Sequence, residues 1–461
     1  MTSETVSDAE WGEMLLGQYF KMLSGFAQDQ AKDIVDREKT IQSQNVANPQ
    51  HHQSALDSAN SSARATLLGI LGQLALAEKT YHSMCFFVAK GFLRKDSSLR
   101  SSYEGIVSEL LVLKEGAKGS ANRGTPAHLL GHISEQVLQY VFARMEMVNF
   151  YEHLGSSRPD TQLVPWSQFL EDLRTICDKN HRLFHHPMLA HVKSAFDFET
   201  EAMLHMIEAQ VHLEDYQFLA SLLSLNEAHA KLNSWESLAH ACDEFRNSGK
   251  IGLSAVISLS GRTPPERALL RWHTAFKASL VSKFSFYFYE NLTAQGGYHV
   301  DRMKTLFARL SCDYYQKVAA FHRRGDAPWI LLAFDAGGMP VHYGYRFPLR
   351  YPVSVQGLES FPAILIYPPG MPLAPAHWPS IVMLLSDPVK SAEAKERPVM
   401  FYDERMESSY YFMRVEPKIT LFVLFQRRKI GRDSAVVTFM NDMVFGLRAS
   451  KLIVTLCPRS K

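Results

Sequence analysis

The spacing of hydrophobic positions changes near residue 325. Before this point they recur every three or four residues, which places them along one face of a helix. After it, short apolar runs alternate with Pro and Gly, as is typical of strands joined by turns. The clearest helical stripe follows Pro126 and comprises Leu130, Ile133, Val137, Val141, Met145 and Val148. The pattern predicts a helical region followed by a region that contains a sheet.

Long helices are predicted throughout the first region. The last of them opens at Thr263-Pro264-Pro265-Glu266, a hydroxyl cap followed by proline in the first turn. It runs to about Leu292, and its stretch KFSFYFYENL is apolar around most of the circumference. Such a helix is expected between layers, not on a surface. The other predicted helices span 7–38, 64–90, the segment after Pro126, 166–185, 189–213 and 218–246.

Residues 40–63, TIQSQNVANPQHHQSALDSANSSA, are polar and contain a proline. Few aliphatic side chains are present to offset the entropy of ordering, so a flexible linker is predicted. The expected organisation is then an N-terminal helix over 1–39 that joins the bundle, the linker, a helical-bundle domain over 64–325 and an α+β domain over 326–461.

Several β-rich runs are found in the last region. Asp335-Ala-Gly-Gly is predicted to turn the first strand back into VHYGY as a hairpin. Asp433-Ser434 is predicted to cap a helix that carries Val436 and Met440. The predicted strands are WILLAF (329–334), AILIY (363–367), SIVMLLS (380–386), PVMFYD (398–403), SSYYFMR (408–414), ITLFVLFQ (419–426) and KLIVTL (451–456). The fold class is therefore α+β, an all-α bundle followed by a smaller domain on an antiparallel sheet.

Composition narrows the class of protein. The chain has 461 residues, is 46% hydrophobic and 21% charged, and carries a net charge of +2, without the basic excess typical of nucleic-acid binders. No run reaches the roughly 18–20 apolar residues that a membrane-spanning helix needs, and the acidic N-terminus does not resemble a signal peptide. Five scattered cysteines form no CxxC pair. We expect a cytosolic protein with reduced thiols that reaches membranes only through partners.

NHRLFHHPMLAH, residues 180–191, holds four histidines. His181 and His185 would share one face of a helix, and His191 could complete a zinc site, which needs three or four ligands. The HExxH glutamate of a metalloprotease is absent. Pro187 disfavours helical geometry at the preceding residue. The favoured interpretation is a helix terminus whose imidazoles bond free carbonyls; a metal-dependent hydrolase is the alternative.

Other chemical templates are missing. There is no GxSxG elbow, no GxxxxGK[ST] loop and no GxGxxG after a strand. The basic turn over 427–432 leaves a lipid-surface binder as a further hypothesis, although a few charges attract anionic lipid only weakly.

Several stretches, taken together and in order, resemble the C12orf66 family, the small subunit of the KICSTOR complex. They are LAEKTYHSM (76–84), HISEQVLQYVFARMEMVNFYE (132–152), RLFHHPML (182–189), LNEAHAKLNSW (225–235), KFSFYFYE (283–290), HWPSIVMLLSD (377–387) and YYFMRVEPKITLFVLF (410–425). The C-terminal order of strands and helix is also similar to longin or roadblock modules.

The resemblance implies a non-enzymatic scaffold without cofactors or catalytic residues. Its partners would be kaptin, an integrin-alpha FG-GAP-repeat protein and a large scaffold encoded by a seizure-threshold gene. At the lysosomal surface this complex would recruit the GATOR complex, which acts on Rag GTPases, and so restrain TOR complex 1 during amino-acid or glucose starvation. A homodimer of this chain is a further possible assembly.

Aromatic side chains are enriched in the cores of protein interfaces. The segments 343–351 and 367–378 are rich in aromatic residues and proline. Tyr345, Phe347, Tyr351 and Trp378 are therefore predicted to contact partners.

Overall fold

The computed structural model describes residues 8–46, 55–84, 98–118, 126–248, 267–295, 305–325, 327–337, 357–429 and 433–456. A helical bundle comes first and a five-stranded antiparallel sheet follows. The bundle helices are α1 (Asp8–Ser24), α2 (Gln28–Val46), α3 (Ala55–His82), α4 (Leu99–Lys118), α5 (Pro126–Ser156), α6 (Trp166–Asn180), α7 (Ala190–Glu214), α8 (Phe218–Ser248), α9 (Ala268–Tyr287), α10 (Tyr289–Gln295) and α11 (Tyr314–Arg324). The predicted start at Thr263 lies outside the described residues.

The N-terminal segment forms two helices, so the prediction of a single helix over 7–38 is wrong. The chain turns at Phe26, whose φ of 62° lies in the left-handed region. Burial of the Phe26 ring, 5.7 Å from the ring of Trp235, offsets the strain of that conformation. A Cβ on Gly25 would lie 2.1 Å from Cys242 Sγ, so the turn also needs glycine for close approach to α8.

The predicted linker over 40–63 is helical at both ends, which corrects that expectation. Helix α2 continues to Val46 and α3 begins at Ala55; residues 47–54 lie outside the described ranges. The polar composition reflects exposed turns of two helices that are anchored further along by buried residues such as Val35 and Leu67. Tertiary packing of those buried turns supports the helices where composition alone would not.

The sheet has the strand order β2-β1-β5-β4-β3, with every pair antiparallel. The strands are β1 (Trp329–Phe334), β2 (Ala363–Tyr367), β3 (Val399–Asp403), β4 (Ser408–Glu416) and β5 (Ile419–Phe425). Strand β1 pairs with β2 and β5. The VHYGY segment, predicted to form a hairpin with β1, lies outside the described residues.

Two predicted strands are helices instead. Residues 380–386 belong to α12 (Trp378–Ser386) and 451–456 to α15 (Ser450–Leu456). Buried residues in both follow helical spacing, as Ile381 with Leu384 and Ile453 with Leu456 show. The period of a short apolar run does not separate helix from strand. The remaining helices are α13 (Pro388–Glu393) and α14 (Ser434–Leu447), and Asp433 caps the latter as predicted.

Both faces of the sheet are buried. Side chains such as Ile330 and Leu332 join the core of the bundle, whereas Trp329 and Leu331 join a second cluster that is covered by α12. The first cluster is continuous from α1 to α15. The boundary predicted at residue 325 therefore separates two kinds of secondary structure that share one core.

Helix α9 lies at the centre of this core, as its apolar circumference predicts. It packs against α3, α7 and α8 on the bundle side and against α11, α14 and α15 on the other. The indole N–H of Trp272 donates to the carbonyl oxygen of Leu452 at 3.0 Å and so ties α9 to the last helix.

Replacing Met440 in α14 tests the shared core. Met440 is fully buried between the bundle and the sheet, so Met440→Ala is expected to destabilise the protein by about 2–5 kcal/mol. Urea unfolding measures the loss, and amide hydrogen exchange should show reduced protection in both α9 and β1. The control Thr438→Ala, at an exposed position of the same helix, should change little. Loss of protection in only one region would contradict a common core.

Candidate functional site

The histidine-rich segment forms a helix end. Helix α6 stops at Asn180, so His181 and His185 do not share a helix face, and the prediction of a helix reaching His185 is wrong. The chain turns after the helix, and Phe184 in this turn has a buried ring and a φ of 38°. His185 donates from Nδ1 to the carbonyl oxygen of Arg182 at 3.0 Å, which supports the helix-terminus interpretation.

His186 is also used in local packing. His186 Nδ1 accepts from the backbone N–H of Met188 at 3.3 Å, and its ring lies edge-on to His132 at 5.4 Å. His191 is in the first turn of α7. Within the described ranges, no three His, Cys, Asp or Glu side chains are grouped closely enough to hold a metal ion. The geometry therefore does not support the metal-dependent hydrolase.

The most concentrated polar chemistry of the bundle is a buried ion cluster on three helices. Arg144 on α5 approaches Glu78 on α3 at 3.2 Å and Glu199 on α7 at 2.5 Å. All three side chains are at most 2% exposed. We call these three residues the arginine cluster. It joins helices that are far apart in sequence.

Hydroxyl groups complete the arginine cluster. Tyr103 donates to Glu78 at 2.8 Å and Tyr81 donates to Glu199. Arg144 Nε donates to the hydroxyl of Tyr140 at 3.0 Å. Burial opposes the charge of Arg144, but Glu78 and the other acidic neighbours outweigh it and raise the pKa of the guanidinium. The arginine therefore stays charged, and hydrogen bonds compensate for much of its lost hydration.

A second buried cluster joins the bundle to the sheet. Lys283 on α9 contacts Glu416 on β4 at 2.5 Å and the amide oxygen of Gln210 on α7 at 2.7 Å. Gln210 in turn donates to Glu416 at 3.1 Å and to Glu214 at 3.3 Å. We call these four residues the lysine cluster. It has one cation for two carboxyl groups.

Because the lysine cluster has more carboxyl groups than cations, one of its carboxyl groups is protonated. Burial, followed by the negative charge of Glu416, raises the pKa of Glu214 to about 9. Glu214 is therefore protonated near neutral pH, while Lys283 pairs with Glu416. This division leaves the buried cluster close to neutral, as a low-dielectric site requires.

Neither cluster was predicted from the sequence, although one signal was present. Arg144 lies in the apolar stripe of α5, three residues after Val141 and four before Val148. A charge on the buried face of a helix requires a buried partner. Its two partners are 66 and 55 residues away in sequence, and only the packing of three helices identifies them.

The predicted partner contacts and the basic turn are only partly described. Tyr345, Phe347 and Tyr351 lie outside the described residues, and Trp378 is half-buried against the second core cluster at the start of α12. In the basic turn, Lys429 contacts Asp433 at 3.1 Å. Arg427 is exposed, and Arg428 lies 5.1 Å from the centre of the Tyr402 ring.

Among the residues that the structure describes, no helix is both long and apolar enough to cross a bilayer. For the lipid-surface hypothesis at residues 427–432, the described part of the turn offers Arg427 and Arg428 as exposed cations, and Lys429 is paired with Asp433. It stays a hypothesis.

The fold defines a class: a helical bundle fused through one core to an antiparallel sheet, with its buried ions placed between structural elements. Residues 10–461 match the family described as KICSTOR complex C12orf66 like. KICSTOR subunit 2 of Danio rerio is 34% identical over 97% of this chain and 96% of its own length. KICSTOR subunit 2 of Xenopus laevis is 32% identical over 97% of both chains. The chain belongs to this family of KICSTOR complex subunits, as the resemblance predicts.

Substitution of Arg144 tests the arginine cluster. Arg144→Ala leaves two carboxyl groups buried without their cation, and we expect a loss of about 3–5 kcal/mol in the free energy of unfolding. Lys179→Ala is the matched control because Lys179 pairs with Glu146 at the surface, where the side chain is 58% exposed. The control should cost less than about 1 kcal/mol in urea unfolding. Equal losses of unfolding free energy in the two variants would show that the buried ion pairs contribute no more to stability than the surface pair.

Glu214 makes stability depend on pH. Folding raises its pKa from the ordinary 4.5 to about 9, so the folded protein binds a proton that the unfolded chain releases. Stability should fall as pH rises between these values, by up to about 1.4 kcal/mol per pH unit. Relative to the wild type, Glu214→Gln should be more stable at pH 8 than it is at pH 5. Urea unfolding of both proteins at both pH values measures this difference. Glu227→Gln, on the exposed face of α8, should retain the wild-type slope; an unchanged slope for Glu214→Gln would refute the assignment.

Proposed function

We propose that this protein is a non-enzymatic scaffold subunit of a KICSTOR-like complex. The observation that carries the proposal is the family match over residues 10–461, together with nearly complete coverage of two proteins named KICSTOR subunit 2. A relationship over the full length of both chains argues for a role in assembly of the same kind.

The placement of charge supports this reading. The arginine cluster and the lysine cluster are buried and join three elements each. Groups in such positions orient helices and strands and are not open to a substrate. A scaffold benefits from this arrangement because rigid surfaces lose little entropy on binding.

We further propose the partners and location that the resemblance implies. The chain would assemble with kaptin, the integrin-alpha FG-GAP-repeat protein and the large seizure-threshold scaffold. Recruited by them from the cytosol to the lysosomal surface, it would help to place the GATOR complex that acts on Rag GTPases. It would thus act as a negative regulator of TOR complex 1 on starvation. The C-terminal region has two strands, two helices, three strands and two further helices, an order that is compatible with the longin or roadblock analogy.

Co-expression tests the scaffold role. The full chain is expressed with the three proposed partners and purified through a tag on this chain, followed by size-exclusion chromatography. Co-elution of all four proteins at constant ratio is expected. If a folded, well-expressed chain elutes alone in every combination, the proposed function is wrong. Adding each partner separately identifies the direct contact.

The predicted contacts at Tyr345, Phe347, Tyr351 and Trp378 stay part of this proposal. Tyr345→Asp with Phe347→Asp should reduce partner recovery about tenfold, because aromatic anchors carry much of the energy of an interface. The thermal melt should be unchanged. Phe142→Asp, at an aromatic residue of α5 that is 44% exposed, is the control. Full recovery with the double variant would exclude this segment as a contact.

A further inference from the structure

The first turns of α8 reverse the usual arrangement of polar and apolar side chains. Ser221 and Ser224 face the interior and are 0% and 8% exposed. Leu219, Leu222 and Leu223 face outward and are 63%, 41% and 57% exposed. Single exposed leucines are ordinary, but three within two turns form a continuous patch that commonly marks a binding surface.

The remainder of α8 fixes this orientation. Leu225, Leu232 and Trp235 continue the inner face and are buried in the core. If α8 were rotated so that the outer leucines became buried, Leu225, Leu232 and Trp235 would become exposed. The hydroxyl of Ser221 is satisfied within its own turn, since it donates to the carbonyl oxygen of Gln217 at 2.6 Å. The leucines therefore remain outside as long as the bundle is folded.

A groove of about 470 Å³ adjoins the leucine patch. It lies between α8, α9, α10 and the segment 305–310. Its apolar lining comprises Leu222, Leu225, Val281, Phe284, Leu292, Leu306, Phe307 and Leu310. Leu306, on the far side from α8, is itself 56% exposed. The groove and the patch together form a strip along the axis of α8, which we call the α8 groove.

The ionisable groups of the α8 groove are basic, and its other polar residues, Asn226 and Ser285, are neutral. His229, Lys277 and Arg309 line it, and no carboxyl group lines it among the described residues. Lys277 Nζ lies 3.0 Å from His229 Nδ1. A surface of leucines beside two cations and an imidazole complements a ligand that has an apolar face and negative charges at its edge.

We propose that the α8 groove binds an amphipathic helix of another subunit, with leucine-like side chains at helical spacing and acidic residues beside them. This inference rests on the proposed scaffold function and assigns one of its contacts. A helix fits better than a small molecule, because Leu219 and Leu223 lie outside the groove lining and only an elongated ligand would cover them. From Leu219 to His229 the strip spans roughly 15 Å, about three turns of a docked helix.

Charge substitution in the groove tests the apolar contact. In the co-expression assay, Leu222→Glu with Leu306→Glu should lower recovery of one subunit about tenfold, because the docked helix would bury unpaired carboxylates. Both positions are exposed, so the thermal melt should persist. Leu111→Glu with Val112→Glu, on the exposed face of α4, is the matched control and should retain every subunit. Full recovery with the groove variant, while the wild type assembles, would overturn the inference and leave the scaffold function intact.

Charge reversal and crosslinking test the identity of the occupant. Arg309→Glu should reduce recovery of the same subunit, whereas Arg309→Lys should retain it. A photo-crosslinking benzoyl-phenylalanine in place of Leu223 should then attach to a helical, acidic segment of that subunit, located by mass spectrometry. Crosslinks only to a second copy of this chain, or none in the assembled complex, would overturn the inference. Failure of the wild type to assemble at all would instead reject the proposed function.

Discussion

Helix α9 imposes the constraint from which the arrangement of the other elements follows. Because it is apolar around most of its circumference, the bundle helices cover it on one side and α11, α14 and α15 on the other, and few of its residues, such as Arg271 and Thr274, are exposed. Its one deeply buried cation, Lys283, requires a buried acid, which β4 supplies as Glu416 at 2.5 Å. The helix therefore joins the two halves of the chain through hydrophobic contact and through the ion pair of Lys283 with Glu416.

Buried charges add specificity more than stability. Replacing a well-packed ion pair by hydrophobic groups is often neutral, but leaving one partner alone is costly. The arginine cluster penalises any packing of α3, α5 and α7 in which Glu78 and Glu199 fail to meet Arg144. The lysine cluster does the same for the contact between bundle and sheet. These restraints are consistent with the proposed scaffold role, in which the protein presents fixed surfaces.

One part of the surface shows the opposite arrangement. The outer face of α8 holds exposed leucines, and the apolar groove beside them also carries His229, Lys277 and Arg309. A protein that functioned alone would be expected to carry polar side chains on this face of α8. Membership of the KICSTOR subunit family gives this pattern a context, since a subunit must keep some apolar surface available until its partner arrives.

The sequence by itself determined the change from helices to strands near residue 325, the central position of α9 and the cap at Asp433. Each depends on local spacing or on neighbouring residues, and the family resemblance rested on ordered stretches that are visible in the chain. Only the tertiary structure decided that residues 380–386 and 451–456 are helical, that the chain turns at Phe26 and Phe184, and that polar residues near 40 and 60 belong to helices. It alone brought Arg144 to Glu78 and Lys283 to Glu416. These outcomes depend on burial against distant residues, which local periodicity does not encode.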